Sequence, residues 1–229
     1  MTTLAENRAA RDAILGRVRK ALHKTGSDEG ARAAAEAYIA AHAQGPRPAM
    51  PDDLVVRFMQ RATDMASTVE RIASEADIPA AVARYLDALE LPPALAAQKS
   101  HAGVCWPEFA HLAWSGAGLS IEARPTAGHD RLGITGSFCA IAETGTLVVT
   151  TGADTPTASA LLPDTHVAVV RADRVVAGME EAFALVRAAK GGMPRAMNMI
   201  SGPSRTGDIE QTIVLGAHGP YRVHLLLLG

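Results

Sequence analysis

The sequence contains few of the residues and patterns that mark several common protein classes. Its two cysteines, Cys105 and Cys139, are too few and too far apart to hold an iron–sulfur cluster or a zinc ribbon. Both have apolar neighbours, so we expect reduced thiols in a core. None of the eight histidines falls in His-Glu-x-x-His or in a Cys/His ligand spacing. We therefore expect no metal and no cofactor on this chain itself.

Clustered charge and long apolar runs are also missing. The net charge is −2 with acids and bases interspersed, which gives no electrostatic attraction to nucleic acid. The most apolar run, Val223 to Leu228, is far too short to span a bilayer. Residues 1–20 have no apolar segment of the kind found in secretory signals. We expect a cytoplasmic protein that neither binds nucleic acid nor inserts into a membrane.

Three motifs of nucleotide and hydrolase chemistry are absent as well. Gly133-x-x-Gly136 lacks the Gly-x-Gly-x-x-Gly spacing, and no Gly-x-x-x-x-Gly-Lys-Ser occurs, which argues against Rossmann-type NAD binding and P-loop hydrolysis. No Gly-x-Ser-x-Gly elbow occurs either.

What is present is a chain of 229 residues, 48% apolar and 20% charged, which is typical of a packed globular domain. Residues 1–92 carry helical patterns without a strand signal, so we predict a helical arm or layer there. The predicted helices span Arg11 to Lys24, Ala31 to Gln44, Pro51 to Ser74 as the longest, and Val82 to Leu89 after a cap at Asp77.

From residue 93 to 229 short apolar runs alternate with turn residues and helical patterns, which predicts an α/β core domain. The predicted strands are Leu95 to Gln98, Leu119 to Ala123, Phe138 to Ala142, Thr146 to Thr151, His166 to Val170 and the two apolar runs on either side of Ser201 to His218. The predicted helices are Thr157 to Leu162 and Met179 to Ala189.

One polar stretch, Ser201 to His218, lies between two buried strands and is predicted to be a loop that leads into a short helix. Backbone N–H groups at the helix start suit an anion, and Arg205 adds a possible bidentate clamp. The alternative is that Ser204 or Thr206 only caps the helix while Arg205 pairs with a nearby acid, Asp208 or Glu210.

A second polar stretch, Gly133 to Thr146, contains Glu143 in a tight connection between two strands. A carboxylate there is either a turn acid that accepts a backbone N–H, or a base, nucleophile or ligand anchor. Because the loop at Ser201 and the loop at Glu143 both follow apolar runs, we expect them to leave the same end of a parallel sheet and to share one cleft. His218 and His224 either line this cleft or serve as core and cap histidines.

Three segments resemble the lactate utilisation protein C family (LutC/YkgG, LUD domain). They are Gly-Ile-Thr-Gly-Ser-Phe-Cys-Ala-Ile-Ala-Glu-Thr-Gly-Thr-Leu-Val-Val from Gly133, Leu-Leu-Pro-Asp-Thr-His-Val from Leu161, and Ile-Ser-Gly-Pro-Ser-Arg-Thr-Gly-Asp-Ile-Glu-Gln from Ile200 through Leu-Gly-Ala-His-Gly-Pro. The resemblance implies a Rossmann-like, three-layer α/β fold of the NagB/RpiA/CoA-transferase type with an N-terminal helical extension. It also implies a part in oxidising L-lactate to pyruvate, together with partner proteins that carry the iron–sulfur clusters.

The resemblance carries no assigned catalytic residue, and Glu143 is our candidate. The predicted ligand-binding positions, for a small carboxylate, a phosphate or an organic cofactor, are Thr135, Gly136, Ser137, Glu143, Thr144, Gly145, Thr146, Ser201, Gly202, Pro203, Ser204, Arg205, Thr206, Asp208, Glu210 and His218. One alternative function is a free-standing CoA-transferase-like or sugar-phosphate-isomerase-like enzyme that uses Glu143. Another is a structural assembly factor with an empty cleft.

Overall fold

The computed structural model describes residues 3–23, 28–93, 96, 99–209 and 212–229. The chain divides into two compact units, residues 1–48 and residues 49–229. The helices are α1 (Leu4–Ala21), α2 (Glu29–Ala41), α3 (Leu54–Asp64), α4 (Ile78–Asp87), α5 (Ala158–Leu161) and α6 (Met179–Lys190). The strands are β1 (Thr68–Ile72), β2 (Ala102–Cys105), β3 (Ser120–Ala123), β4 (Leu132–Thr135), β5 (Cys139–Ile141), β6 (Thr146–Thr150), β7 (Thr165–Arg171), β8 (Val175–Val176), β9 (Met197–Ile200), β10 (Arg205–Ile209), β11 (Thr212–Leu215) and β12 (Arg222–Leu228).

The first unit contains the two predicted N-terminal helices. α1 begins earlier than predicted because Thr3 and Glu6 form a capping box, in which the Glu6 carboxylate accepts the Thr3 N–H at 2.7 Å. α2 begins after Asp28, whose Oδ1 accepts the Ala31 N–H at 2.9 Å.

The second unit is built on a parallel sheet of six strands in the order β1-β12-β7-β4-β2-β3. β7 and β12 lie in its middle, and their near-continuous apolar sequences are typical of parallel strands that are covered on both faces. α4 packs on one face through Ile78, Val82 and Leu86. α3 packs on the other face through Phe58 and Ala62. The predicted α/β class and its parallel central sheet are therefore confirmed.

A second sheet in the order β8-β5-β6-β9 also covers the α3 face, and it contains antiparallel pairs. Its inner face contributes Ala140 and Leu147 to the core that α3 shares. Its outer face is covered by α6 through Ala182 and Val186. The strands predicted on either side of Glu143 thus form an antiparallel hairpin in this second sheet and do not belong to the parallel sheet.

The helix predicted from Pro51 to Ser74 is wrong beyond Asp64. α3 ends in a Schellman motif, in which Ala66 adopts φ +64° and the Ser67 N–H bonds to the Ala62 carbonyl oxygen at 3.0 Å. The chain then enters β1, which pairs with β12 in parallel. The helix is shorter because a turn and a strand replace its second half.

The boundary predicted at residue 92 also differs from the structure, where the division falls between residues 48 and 49. The pairing of β1 with β12 explains the difference, because it makes residues before 92 part of the central sheet. The strand predicted from Leu95 to Gln98 falls outside the described residues except for Ala96.

The helix predicted after Ser201 is replaced by a hairpin of β10 and β11. Arg205 pairs with Leu215 and Thr206 with Val214 in this antiparallel ladder. The β-branched residues of the segment and Gly207 favour extended backbone over helix. The hairpin rejoins the body where the Ser204 N–H bonds to the Pro220 carbonyl oxygen at 2.9 Å.

Candidate active site cleft

The carboxyl ends of the parallel strands meet at one edge of the central sheet. β2 and β4 are neighbours there, yet the chain continues in this sheet on opposite sides of the pair. β3 follows β2 on one side, and β7 is the next strand of the sheet after β4, on the other side, once the chain has formed β5 and β6 of the second sheet. Connections that diverge in this way open a crevice between the strand ends, and open parallel sheets bind ligands at this point. The crevice between β2 and β4 is therefore the candidate site.

A cleft of about 70 Å³ lies at this crevice. Its walls are the ends of β4, β7 and β12 and two helical turns, Glu75–Asp77 and Pro107–Phe109. The lining residues are Glu75, Glu108, Phe109, Gly136, Ser137, Val169, Arg171 and Leu228. Pockets for drug-sized ligands measure about 300 to 1,000 Å³. This cleft therefore fits a small molecule of a few heavy atoms.

The carboxyl group of Glu108 lies directly against the backbone of Gly136. A Cβ atom added to Gly136 would lie 2.3 Å from Oε1 of Glu108, so a larger residue would displace this carboxyl group. Burial is the main cause that raises the pKa of Glu108, the charge of Glu75 raises it further, and the Gly136 N–H acts in the opposite direction. A carboxyl group with a raised pKa holds its proton to higher pH and is a candidate for acid–base chemistry.

Arg171 brings a guanidinium group to the same cleft. Its Nε and Nη2 atoms lie 3.2 and 3.4 Å from the two carboxylate oxygens of Asp173. These contacts are long and exposed to solvent, so the ion pair is weak. A guanidinium held this loosely can turn toward the carboxylate of a ligand and bind it through two N–H groups.

A buried pair of polar side chains supports the end of β4. Thr135 Oγ1 lies 2.8 Å from Nε2 of His166 and donates a hydrogen bond to the Gly136 carbonyl oxygen at 2.9 Å. The hydroxyl has a single proton, so His166 carries its own proton on Nε2 and donates it to Thr135. Burial lowers the pKa of His166 to about 4, which keeps the ring neutral. This pair fixes the peptide that Glu108 contacts.

Three predicted site residues therefore lie at or next to the cleft. Gly136 and Ser137 line it, and Thr135 lies directly below them. Ser137 is held by a hydrogen bond from Oγ to the Val169 carbonyl oxygen at 3.1 Å. That these residues bind a ligand stays a prediction.

A second group of predicted residues forms a chain of hydroxyls on the other sheet. Thr146 Oγ1 lies 2.6 Å from both Thr144 Oγ1 and Ser201 Oγ. The two polar stretches do meet, as predicted, but at the end of an antiparallel sheet and not at the parallel one. They meet because β9 and β6 are paired, so the end of β9 lies beside the start of β6.

Glu143 and the two glycines of this second group lie in turns, where their roles are structural. Glu143 lies half-buried in the turn between β5 and β6, where its backbone N–H bonds to the Ala177 carbonyl oxygen at 3.0 Å. Gly145 has φ +67° and its missing Cβ leaves room for the backbone of α3, 2.4 Å from the Ala62 nitrogen. Gly202 has φ +82° and its missing Cβ would lie 2.0 Å from the Met65 carbonyl oxygen. None of these three residues lines the cleft described above.

The remaining predicted residues belong to the β10–β11 hairpin and its base. Arg205 is exposed and points Nη2 at the Met65 carbonyl oxygen at 3.5 Å, and Thr206 is buried. The exposed His218 donates its backbone N–H to Ser204 Oγ at 3.4 Å, and Pro203 precedes this base. Asp208 lies within β10, and Glu210 falls outside the described residues. Arg205 is therefore on a strand and not at a helix start.

His224 is a core residue and not a residue of the cleft. Its ring stacks on Tyr85 with a centroid distance of 4.0 Å, and its Nδ1 lies 2.8 Å from Thr68 Oγ1. Burial lowers the pKa of His224 to about 4, while the charge of Glu70 raises it slightly.

Sequence reasoning missed Glu75, Glu108 and Arg171. Each lies just after, or at the end of, a parallel strand, which places all three at the same edge of the sheet. Arg171 immediately follows the predicted strand His166 to Val170, so its position was a usable signal. The strands before Glu75 and Glu108 were not predicted, so nothing in the sequence indicated that these two residues lie at the edge of the sheet.

The described residues contain no group of three or more His, Cys, Asp or Glu side chains placed to hold a metal ion. Among the helices that the structure describes, none is long and apolar enough to cross a membrane. Cys105 and Cys139 are free thiols buried in different core clusters. Burial raises the pKa of each thiol to about 11.

The chain is similar to a known protein family, to related sequences and to a solved structure. A family model described as the LUD domain matches residues 55–228. The chain is 34% identical over 195 residues to lactate utilization protein C of Deinococcus radiodurans, covering 81% of this chain and 89% of that protein. It is 34% identical over 127 residues to lactate utilization protein C of Bacillus subtilis, covering 54% of this chain and 53% of that protein. The crystal structure of a DUF162 family protein from Deinococcus radiodurans superposes with a TM-score of 0.57 at 25% identity, covering 80% of this chain and all of that one.

Proposed function

Because the chain belongs to the LUD domain family, we propose that it takes part in lactate utilisation by binding L-lactate or its product pyruvate in the cleft between β2 and β4. The observation that carries this proposal is the match to a lactate utilization protein C along 89% of that protein's length. The small volume of the cleft supports a ligand of this size.

The chemistry of the cleft suits a 2-hydroxy acid in two respects. Arg171 offers two N–H donors to a carboxylate. Glu108 offers a group that exchanges a proton, next to the hydroxyl of Ser137. A ligand with a carboxylate and a neighbouring oxygen would use both groups.

The electrons released by lactate oxidation would leave through partner proteins that carry iron–sulfur clusters. The placement of the thiols supports this division of labour, because Cys105 and Cys139 lie buried in separate core clusters. This chain would then act as a non-redox subunit that binds the organic acid.

Isothermal titration of L-lactate into the purified protein tests the proposal. The wild type should bind, and Arg171→Gln should bind more weakly by about 1.5 to 3 kcal/mol, which is the contribution of a charge-assisted hydrogen bond. Arg195→Gln is the matched control, because Arg195 is exposed and lies in a different surface groove. The fold should tolerate either change, since exposed ion pairs contribute little stability.

Two results would contradict the proposal. One is an absence of binding to both L-lactate and pyruvate in the wild type. The other is equal affinity in Arg171→Gln and the wild type, which would place the ligand elsewhere. A co-purification from cells grown on L-lactate tests the partners separately: iron-containing proteins should accompany the wild-type chain.

A further inference from the structure

The cleft contains more negative than positive charge before any ligand enters. Glu75 and Glu108 both line it, and the guanidinium of Arg171 is already shared with Asp173. A carboxylate ligand adds a further negative charge at short range. Glu75 and Glu108 are both exposed residues, so water screens part of this repulsion, but the charges share one small cleft. Anion binding is therefore favoured when one acidic group loses its charge.

Glu108 is the group that the surroundings select for this. Its carboxyl group lies against Gly136, where an added Cβ would lie 2.3 Å from Oε1. Glu75 differs in having a histidine partner, since Nε2 of His111 lies 3.4 Å from its Oε1. The charged and titratable groups that surround Glu108 are Glu75, Arg171 and the thiol of Cys105.

We propose that the cleft binds a small carboxylate together with one proton, and that Glu108 takes up this proton. The inference rests on the proposed function, because it assumes an anionic ligand in this cleft. A buffer acid or hydronium gives up the proton, and a new O–H bond forms on the Glu108 carboxylate. The neutral acid then donates a hydrogen bond to a ligand oxygen, and the binding step adds no net charge to the cleft.

This assignment makes affinity depend on pH in a defined way. Above the pKa of Glu108 each binding event must also bind one proton, so the Kd for L-lactate should rise about tenfold per pH unit. Burial and Glu75 place that pKa above the value of an ordinary glutamate, which moves the change toward neutral pH. A ligand site without a titrating group would show no such slope.

The experiment is titration of L-lactate at one pH in two buffers with different enthalpies of ionisation, which counts the protons taken up. The wild type should take up close to one proton in the upper part of a range from about pH 5 to pH 8. Glu108→Gln keeps the shape and the donor N–H₂ of a protonated acid, so it should bind with no proton uptake and nearly constant Kd. Glu90→Gln, an exposed residue that does not line this cleft, is the matched control and should behave as the wild type.

The outcomes separate this inference from the proposed function. Binding by the wild type without proton uptake overturns the inference and leaves the function standing. Proton uptake that persists in Glu108→Gln overturns the assignment to Glu108. Failure of the wild type to bind L-lactate or pyruvate anywhere in this range overturns both proposals. A circular dichroism melt of Glu108→Gln confirms that the variant is folded.

Discussion

Acidification should destabilise the second unit through two buried histidines, His166 and His224. Burial lowers the pKa of each from 6.5 to about 4. A histidine whose folded pKa is depressed stays neutral in the folded chain but binds a proton in the unfolded chain as the pH falls below 6.5. Stability is therefore complete above 6.5 and is lost progressively down to about 4.

The size of the loss follows from the two pKa values. Each histidine should lower the free energy of unfolding by about 2 kcal/mol between about pH 7 and pH 5, or about 4 kcal/mol for the pair. Glu108 acts in the opposite direction, because its pKa is raised in the folded chain. Comparison of variants that all retain Glu108 removes its contribution.

The variant that isolates one histidine is His224→Phe. Phenylalanine keeps an aromatic ring against Tyr85 and cannot titrate, and the exposed Thr68 can bond to water in place of Nδ1. This variant should lose about half of the pH dependence, close to 2 kcal/mol. The exposed His129 changed to Gln is the control and should keep the full dependence.

Urea unfolding at a series of pH values measures these free energies by linear extrapolation. Fluorescence is a suitable signal, because the two tryptophans, Trp106 and Trp114, are both buried in the core of the second unit. A free energy of unfolding that stays constant down to about pH 5 would refute the reasoning. So would a His224→Phe protein with the slope of the wild type.

Two further predictions concern the β10–β11 hairpin and the turn before it. Gly202→Ala should lower the free energy of unfolding by more than about 2 kcal/mol, because its φ is positive and its Cβ would collide with the Met65 carbonyl oxygen. The control is Gly128→Ala: Gly128 has φ +89° but lies in open space, so this change should lower the free energy of unfolding by only about 1 kcal/mol. Equal losses in these two urea titrations would show that contact with Met65 is unimportant. Arg205→Ala should change stability by no more than about 0.5 kcal/mol because the side chain is exposed, and a loss of several kcal/mol in thermal unfolding would reveal a buried ion pair instead.

Local sequence patterns were enough to predict the elements that have a capping residue at each end or a continuous apolar run. α6 begins after Gly178, where the Glu181 carboxylate accepts the Gly178 N–H, and it ends at Gly191 with φ +67°. β7 is a run of apolar residues, and a parallel strand buried on both faces has no other pattern to show. Such elements are determined within a dozen residues, so their prediction was confirmed.

Prediction from the sequence was wrong where no capping residue ends a helix, or where a strand pairs with a strand far away in the chain. α3 ends with Ala66 in the left-handed conformation that glycine usually adopts. Because no glycine stands there, the sequence did not indicate the end of the helix. β1 has the apolar spacing of a helix, and it became a strand because the exposed edge of β12 was available for pairing. The hairpin of β10 and β11 likewise depended on pairing across its turn.

The candidate cleft shows most clearly which features follow from local sequence and which depend on tertiary structure. Sequence by itself singled out Gly136 and Ser137, because a stretch of glycine and small polar residues among apolar runs is a local pattern. It did not bring Glu75, Glu108 and Arg171 together, since they are far apart in the chain and share only a strand end. The order β1-β12-β7-β4-β2-β3 decides which strand ends are neighbours, and long-range pairing between strands sets that order. The composition of the cleft is therefore a property of the tertiary structure, while its loops are properties of the sequence.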